Sequence, residues 1–111
     1  METYNELLRE AEYQFLSRVL ARLKETTHIT CKLLRGYNTT LTFRALSTEG
    51  SIHIIAVGGY RVRVIIHHSY YVGMLRESCE EMYASELTPE RVCAMLLKLL
   101  KGRLPSRSIS A

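Results

Sequence analysis

Between His28 and His68 four runs rich in β-branched residues are separated only by short turn chemistry, and this alternation constrains the fold more than any other feature of the chain. The runs are HITCKLLR (28–35), TLTFRAL (40–46), SIHIIAV (51–57) and YRVRVIIHH (60–68), and the breaks are GYNT, STEG and GG. Strands joined by two to four residues pair antiparallel, because a parallel partner needs a crossover of a dozen residues or more. The pattern therefore predicts a four-stranded antiparallel meander.

Helical periodicity flanks the meander. Tyr4, Leu7, Leu8, Ala11, Phe15, Leu16, Val19, Leu20 and Leu23 recur at three- and four-residue spacing, and Thr3 followed by Glu6 has the spacing of a capping box. After the strands, Tyr71, Met74, Leu75, Cys79, Met82 and Tyr83 keep helical spacing over about 70–84. Thr88 and Pro89 then read as the N-cap and first position of a last helix running to Gly102. The expected architecture is α+β: an N-terminal helix, a four-stranded antiparallel meander and two C-terminal helices (α-ββββ-αα), with the helices packed on one face. The 111 residues suit one domain over residues 1–103, followed by a flexible tail over 104–111.

Strand alternation sorts the side chains by face. Ile29, Cys31 and Leu33, then Leu41, Phe43 and Ala45, then Val62, Val64 and Ile66 form the inward set. The outer set holds His28, Thr30 and Lys32, then Thr42 and Arg44, then Arg61, Arg63 and Ile65. Arg61 and Arg63 thus emerge side by side, about 7 Å apart along the strand. The third strand admits two registers. A two-residue turn at Gly58-Gly59 puts Ile52, Ile54 and Ala56 outside, whereas a three-residue loop with a bulge puts His53, Ile55 and Val57 there.

The net charge of +4 is concentrated in the strands. From Thr26 to Arg76 the only acid is Glu49, against Lys32, Arg35, Arg44, Arg61, Arg63 and Arg76. An outer face with basic strand positions, no acid among them and apolar side chains beside the arginines favours an anionic polymer. Single-stranded DNA or RNA fits such a surface, with Lys32 and Arg44 on phosphates, Arg61 and Arg63 on phosphates or stacked on bases, and His28 and Tyr60 bordering the groove. The aromatic complement is thin, since Phe43 points inward and Tyr37 and Tyr60 sit at turns or strand ends.

Other chemistries find little support. His67 and His68 are adjacent in a strand and point to opposite faces, so they do not share one ion, and neither a metal nor any other cofactor is expected. Cys31, Cys79 and Cys93 match neither a paired disulfide framework nor a metal knuckle, and read as reduced thiols, with Cys79 and Cys93 shielded on helical stripes. Glu80-Glu81 reads as the solvated face of a helix. No glycine-rich phosphate loop precedes a helix. A non-enzymatic protein is expected. No apolar run has the length of a membrane span and the N-terminus is acidic where a signal peptide would be basic, which points to the cytoplasm and no membrane partner. The leucine excess of RVCAMLLKLLKG over one buried face suggests a homodimer seam as a competing expectation.

The succession α-ββββ-αα is similar to the ubiquitin-conjugating fold and its non-catalytic relatives, the RWD domains. The catalytic His-Pro-Asn signature is absent, HHS at 67–69 being the nearest phrase, and with Pro89 and Pro105 as the only prolines the RWD proline motif has no counterpart. That resemblance implies a protein-interaction subunit docking through its sheet face or last helix. The helix-backed sheet also resembles archaeal single-stranded DNA-binding proteins of the ThermoDBP type, which implies nucleic-acid binding.

Overall fold

The computed structural model describes residues 4–25, 29–35, 39–45, 48–70 and 75–101, without the side chains of 4–9, 70 and 75. The order is α1 (Tyr4–Leu23), β1 (Thr30–Arg35), β2 (Thr39–Ala45), β3 (Thr48–Gly58), β4 (Arg61–Tyr70), β5 (Leu75–Tyr83), a 3-10 turn (Ala84–Glu86) and α2 (Pro89–Leu100). The strands form one antiparallel sheet in the order β1-β2-β3-β4-β5.

The class, the meander, the first helix and the last helix are as the sequence predicts. One element is not. The helix expected over 70–84 is largely strand β5, so the sheet has five strands and a single helix follows it. Helical spacing of Leu75, Cys79, Met82 and Tyr83 loses to pairing with β4, which runs from Arg61↔Tyr83 to Ser69↔Leu75. The two adjacent glutamates consequently point apart. Glu80 turns to the helix side, where Arg91 of α2 meets it at 2.7 Å, and Glu81 turns to the outer side. The α-ββββ-αα succession on which the ubiquitin-conjugating and RWD likeness rested is thereby replaced by α-βββββ-α. The Thr3–Glu6 capping box, Tyr71 and the tail lie outside the described residues.

Alternation fixes the core. Leu41, Phe43, Ala45, Ile52, Val64, Ile66 and Met82 on the inner face join Leu16, Val19 and Leu23 of α1 and Val92, Cys93, Leu96 and Leu100 of α2 in one buried cluster. Each leucine, isoleucine, valine, phenylalanine or methionine among them contributes about 1.5–3 kcal/mol of transfer free energy when fully buried. α1 lies over β1 and β2 with α2 against it. Arg22 meets Glu90 at 3.0 Å across the helix pair, and the Cys93 thiol donates to Val19 O at 3.8 Å. The start of α2 is as expected: the Thr88 hydroxyl accepts from Arg91 N at 3.1 Å, ahead of Pro89. Leu96 and Leu100 are buried in the cluster while Leu97 is exposed.

The hairpin between β3 and β4 resolves the open register. Ile54 pairs with Val64 and Ile55 with Arg63, and the pairing shifts between Ala56 and Gly58, a bulge. Gly58, Gly59 and Tyr60 all have positive φ, at 88°, 59° and 58°. The bulge and the outward set of the second alternative hold, with His53, Ile55 and Val57 outside, but the closing pair Gly58↔Arg61 leaves two residues in the turn, Gly59 and Tyr60, rather than three.

Candidate nucleic-acid interface

The register turns the outer face into a grid. Arg61, paired with Gly58, and Tyr83 lie across the hairpin end beside the bulged Val57, followed by Ile55, Arg63 and Glu81. The next row is Leu34, Thr40, His53, Ile65 and Cys79, and the one after it Lys32, Thr42, Ser51, His67 and Glu77. Thr30, Arg44, Glu49, Ser69 and Leu75 complete it. Ile65 is 8% exposed yet stands outside the core cluster, because its own outer-face neighbours cover it.

Arg61 and Arg63 do face outward, but they share a carboxylate. Arg61 Nε donates to Glu81 Oε2 at 3.0 Å and Arg63 Nη2 to Glu81 Oε1 at 3.0 Å. The bond from Arg63, helped by the nearby Arg61 charge, holds the Glu81 carboxyl below its usual range. Two guanidinium groups on one carboxylate leave a single positive charge at this end of the sheet. The Arg61 guanidinium also lies 5.0 Å from the centre of the Tyr83 ring, within cation–π range. Tyr60 projects from the hairpin tip, 90% exposed, and its carbonyl accepts from Ala84 N at 2.7 Å, which ties the tip to the end of β5. Ile55 and Val57, 46% and 38% exposed, complete the apolar part of the surface.

The residues expected to form one site divide into two groups. Arg61, Arg63 and Tyr60 come together at the hairpin end. Lys32 is exposed on β1, and Arg44 on β2 is paired with Glu49 at 3.1 Å, both toward the opposite end of the grid. His28 lies outside the described residues. The expectation of an outer face without acids is corrected: β3 begins early enough to include Glu49, and β5 adds Glu77 and Glu81. Lys32, Arg44, Arg61 and Arg63 are opposed there by Glu49, Glu77 and Glu81, so the face is only weakly basic.

Two features of the site escaped the sequence. Tyr83 supplies the aromatic ring missing from the expected platform, and the strand alternation of Glu77, Cys79, Glu81 and Tyr83 opposite His67, Ile65, Arg63 and Arg61 was the signal that could have revealed it. Cys79, expected to be shielded, is exposed, whereas Cys93 is buried and Cys31 half-buried. Burial pushes both the Cys31 and Cys93 thiols up. Among the described residues no group of three or more histidine, cysteine or acidic side chains is placed to hold a metal ion, and no helix is long and apolar enough to cross a membrane. No family model, curated protein or solved structure matches the chain.

Proposed function

We propose that the chain binds single-stranded nucleic acid against the hairpin end of its outer sheet face. The observation that carries this reading is the Arg61 guanidinium over the exposed Tyr83 ring, with Tyr60 beside it and one uncompensated positive charge shared by Arg61 and Arg63. Rings and guanidinium planes stack on bases of any identity, and the residual charge attracts phosphate. Lys32 extends the contact toward β1. The exposed Ile55 and Val57, beside arginines already engaged by Glu81, favour a second reading, a non-catalytic subunit that docks a protein partner on the same face.

Fluorescence polarisation with labelled single strands and duplexes at about 50 and about 200 mM salt separates the two, since affinity for a polyanion falls steeply with salt and a mainly apolar protein contact does not. Single strands should bind more tightly than duplexes. Replacing Tyr83 by alanine should weaken binding by roughly tenfold, the loss of one stacked base. The pair Arg61→Ala, Arg63→Ala should weaken it and flatten the salt slope by about 0.7 for each phosphate no longer neutralised, while Arg18→Ala on α1 should do neither. Absence of binding at low salt, or an equal loss from Arg18→Ala, refutes the nucleic-acid reading.

A further inference from the structure

His53 and His67 stand side by side in the middle of the outer face, their rings 5.2 Å apart and nearly edge to face at 73°. They come from β3 and β4, and the bulged hairpin register is what brings both to this side. Three hydroxyl side chains surround them. Thr40 Oγ1 lies 3.4 Å from His53 Nδ1, Ser51 Oγ lies 3.3 Å from His53 Nε2, and Thr42 stands beside Ser51 in the register. Lys32 occupies the same row on β1. The charged and titratable groups facing the pair are few: Lys32 from β1, Arg44 two positions along β2, Glu49 on β3, Arg63 on β4, and Glu77, Cys79 and Glu81 from β5. Arg44 is engaged by Glu49, and Arg63 by Glu81. Among the described residues, what remains beside the imidazoles is one cation, Lys32, and one carboxylate, Glu77.

We infer that this patch is a second phosphate subsite for the same strand, and that the phosphate enters it together with protons taken up by His53 and His67. The inference rests on the proposed function and adds to it a regulation, tighter binding in acid. With both rings neutral, Lys32 and Glu77 cancel and the patch offers hydroxyls alone. With both protonated it carries two positive charges beside the Thr40 and Ser51 hydroxyls, which can donate to phosphate oxygens, while the Thr42 hydroxyl donates to Lys32 O at 3.2 Å. In the free protein, burial first and the neighbouring His67 charge second hold the His53 imidazole below its usual range, so that ring is uncharged at neutral pH. The negative charge of a phosphate placed against the pair favours the protonated rings and outweighs both effects. Binding therefore takes up protons, and affinity must rise as pH falls.

A labelled oligothymidylate is titrated by fluorescence polarisation at about pH 8 and about pH 5.5, with the native chain and with the double variant His53→Gln, His67→Gln. Native affinity should rise about tenfold or more between the two, what a one-unit rise in imidazole pKa on binding amounts to, and the variant should lose most of that rise. Calorimetry of the native protein in two buffers of different ionisation enthalpy at about pH 6 should register net proton uptake on binding, so the test stands even if the variant does not fold. Binding at pH 8 with no gain in acid, a gain equal in the variant, or no proton uptake overturns the inference and leaves the proposed function intact. No binding at either pH overturns the proposed function, and the subsite with it.

Discussion

Replacing Gly50 by alanine tests the register on which the whole outer face depends. Gly50 lies on β3, paired with Phe43 on one side and His68 on the other. A methyl group there would meet His67 O at 1.9 Å and His68 Cα at 2.8 Å. Both are backbone atoms, which no rotamer change can move aside. β3 and β4 would have to part by more than about 1 Å next to the buried Ile52 and Ile66, a small-to-large strain costing about 3 kcal/mol. For a domain of this size that is about 15 °C in Tm. Gly59→Ala is the natural comparison. Gly59, unlike Gly50, has positive φ, +59°, but an added Cβ meets nothing within 4 Å, so only the left-handed backbone cost of about 1 kcal/mol applies, about 5 °C. Thermal and urea unfolding followed by circular dichroism would measure both. If Gly50→Ala is no worse than Gly59→Ala, the strands do not approach as described and the pairing of Gly50 with His68 is wrong. A slip of one residue would then turn His53 and Ile55 inward and dissolve the proposed surface.

Thr88→Ala removes the hydroxyl that caps α2 and should cost about 1 kcal/mol by urea unfolding, with Thr88→Ser recovering most of it. Leu96→Ala opens a cavity where α2 meets the core and should cost about 3 kcal/mol, several times the effect of Leu97→Ala on the exposed side of the same helix. His53 predicts a pH effect on stability. Its folded pKa lies below the unfolded value, so the unfolded chain takes up the proton first and stability falls as pH drops through about 6.5 toward the lower folded value. The difference in Tm between the native chain and His53→Gln, followed from about pH 8 to about pH 5, should shift in favour of the variant on acidification; a constant difference would mean that the ring titrates alike in both states.

The elements read correctly are those whose side chains alternate against a solid apolar layer. β2 is the clearest, with Leu41, Phe43 and Ala45 buried and Thr40, Thr42 and Arg44 less so. α1 and α2 follow because Leu16, Val19 and Leu23, and Val92, Leu96 and Leu100, each fall on one stripe. β5 could not be read that way. Its inner positions are Arg76, Ser78, Glu80 and Met82, of which only Met82 is buried. At the sheet edge Glu80 meets the polar Arg91, so the two-residue hydrophobic period is erased and the helical spacing of four scattered apolar residues stands in its place. The hairpin register was undecidable from residue types, since both alternatives put apolar and basic side chains together. The guanidinium pair was legible from alternation alone. Its carboxylate partner was not, because Glu81 reaches it only through the unrecognised strand.

The two borders of the sheet carry opposite signs. β1 bears Lys32 and Arg35, whereas β5 bears Glu77, Glu80 and Glu81 against Arg76. Two copies meeting β1 to β1 or β5 to β5 set like against like and repel, whereas β1 of one copy against β5 of the next sets opposite signs together, the one pairing of unpaired backbone that these charges favour. Neutralising the three glutamates would relax the repulsion between two β5 borders and, with it, the attraction of β5 for β1.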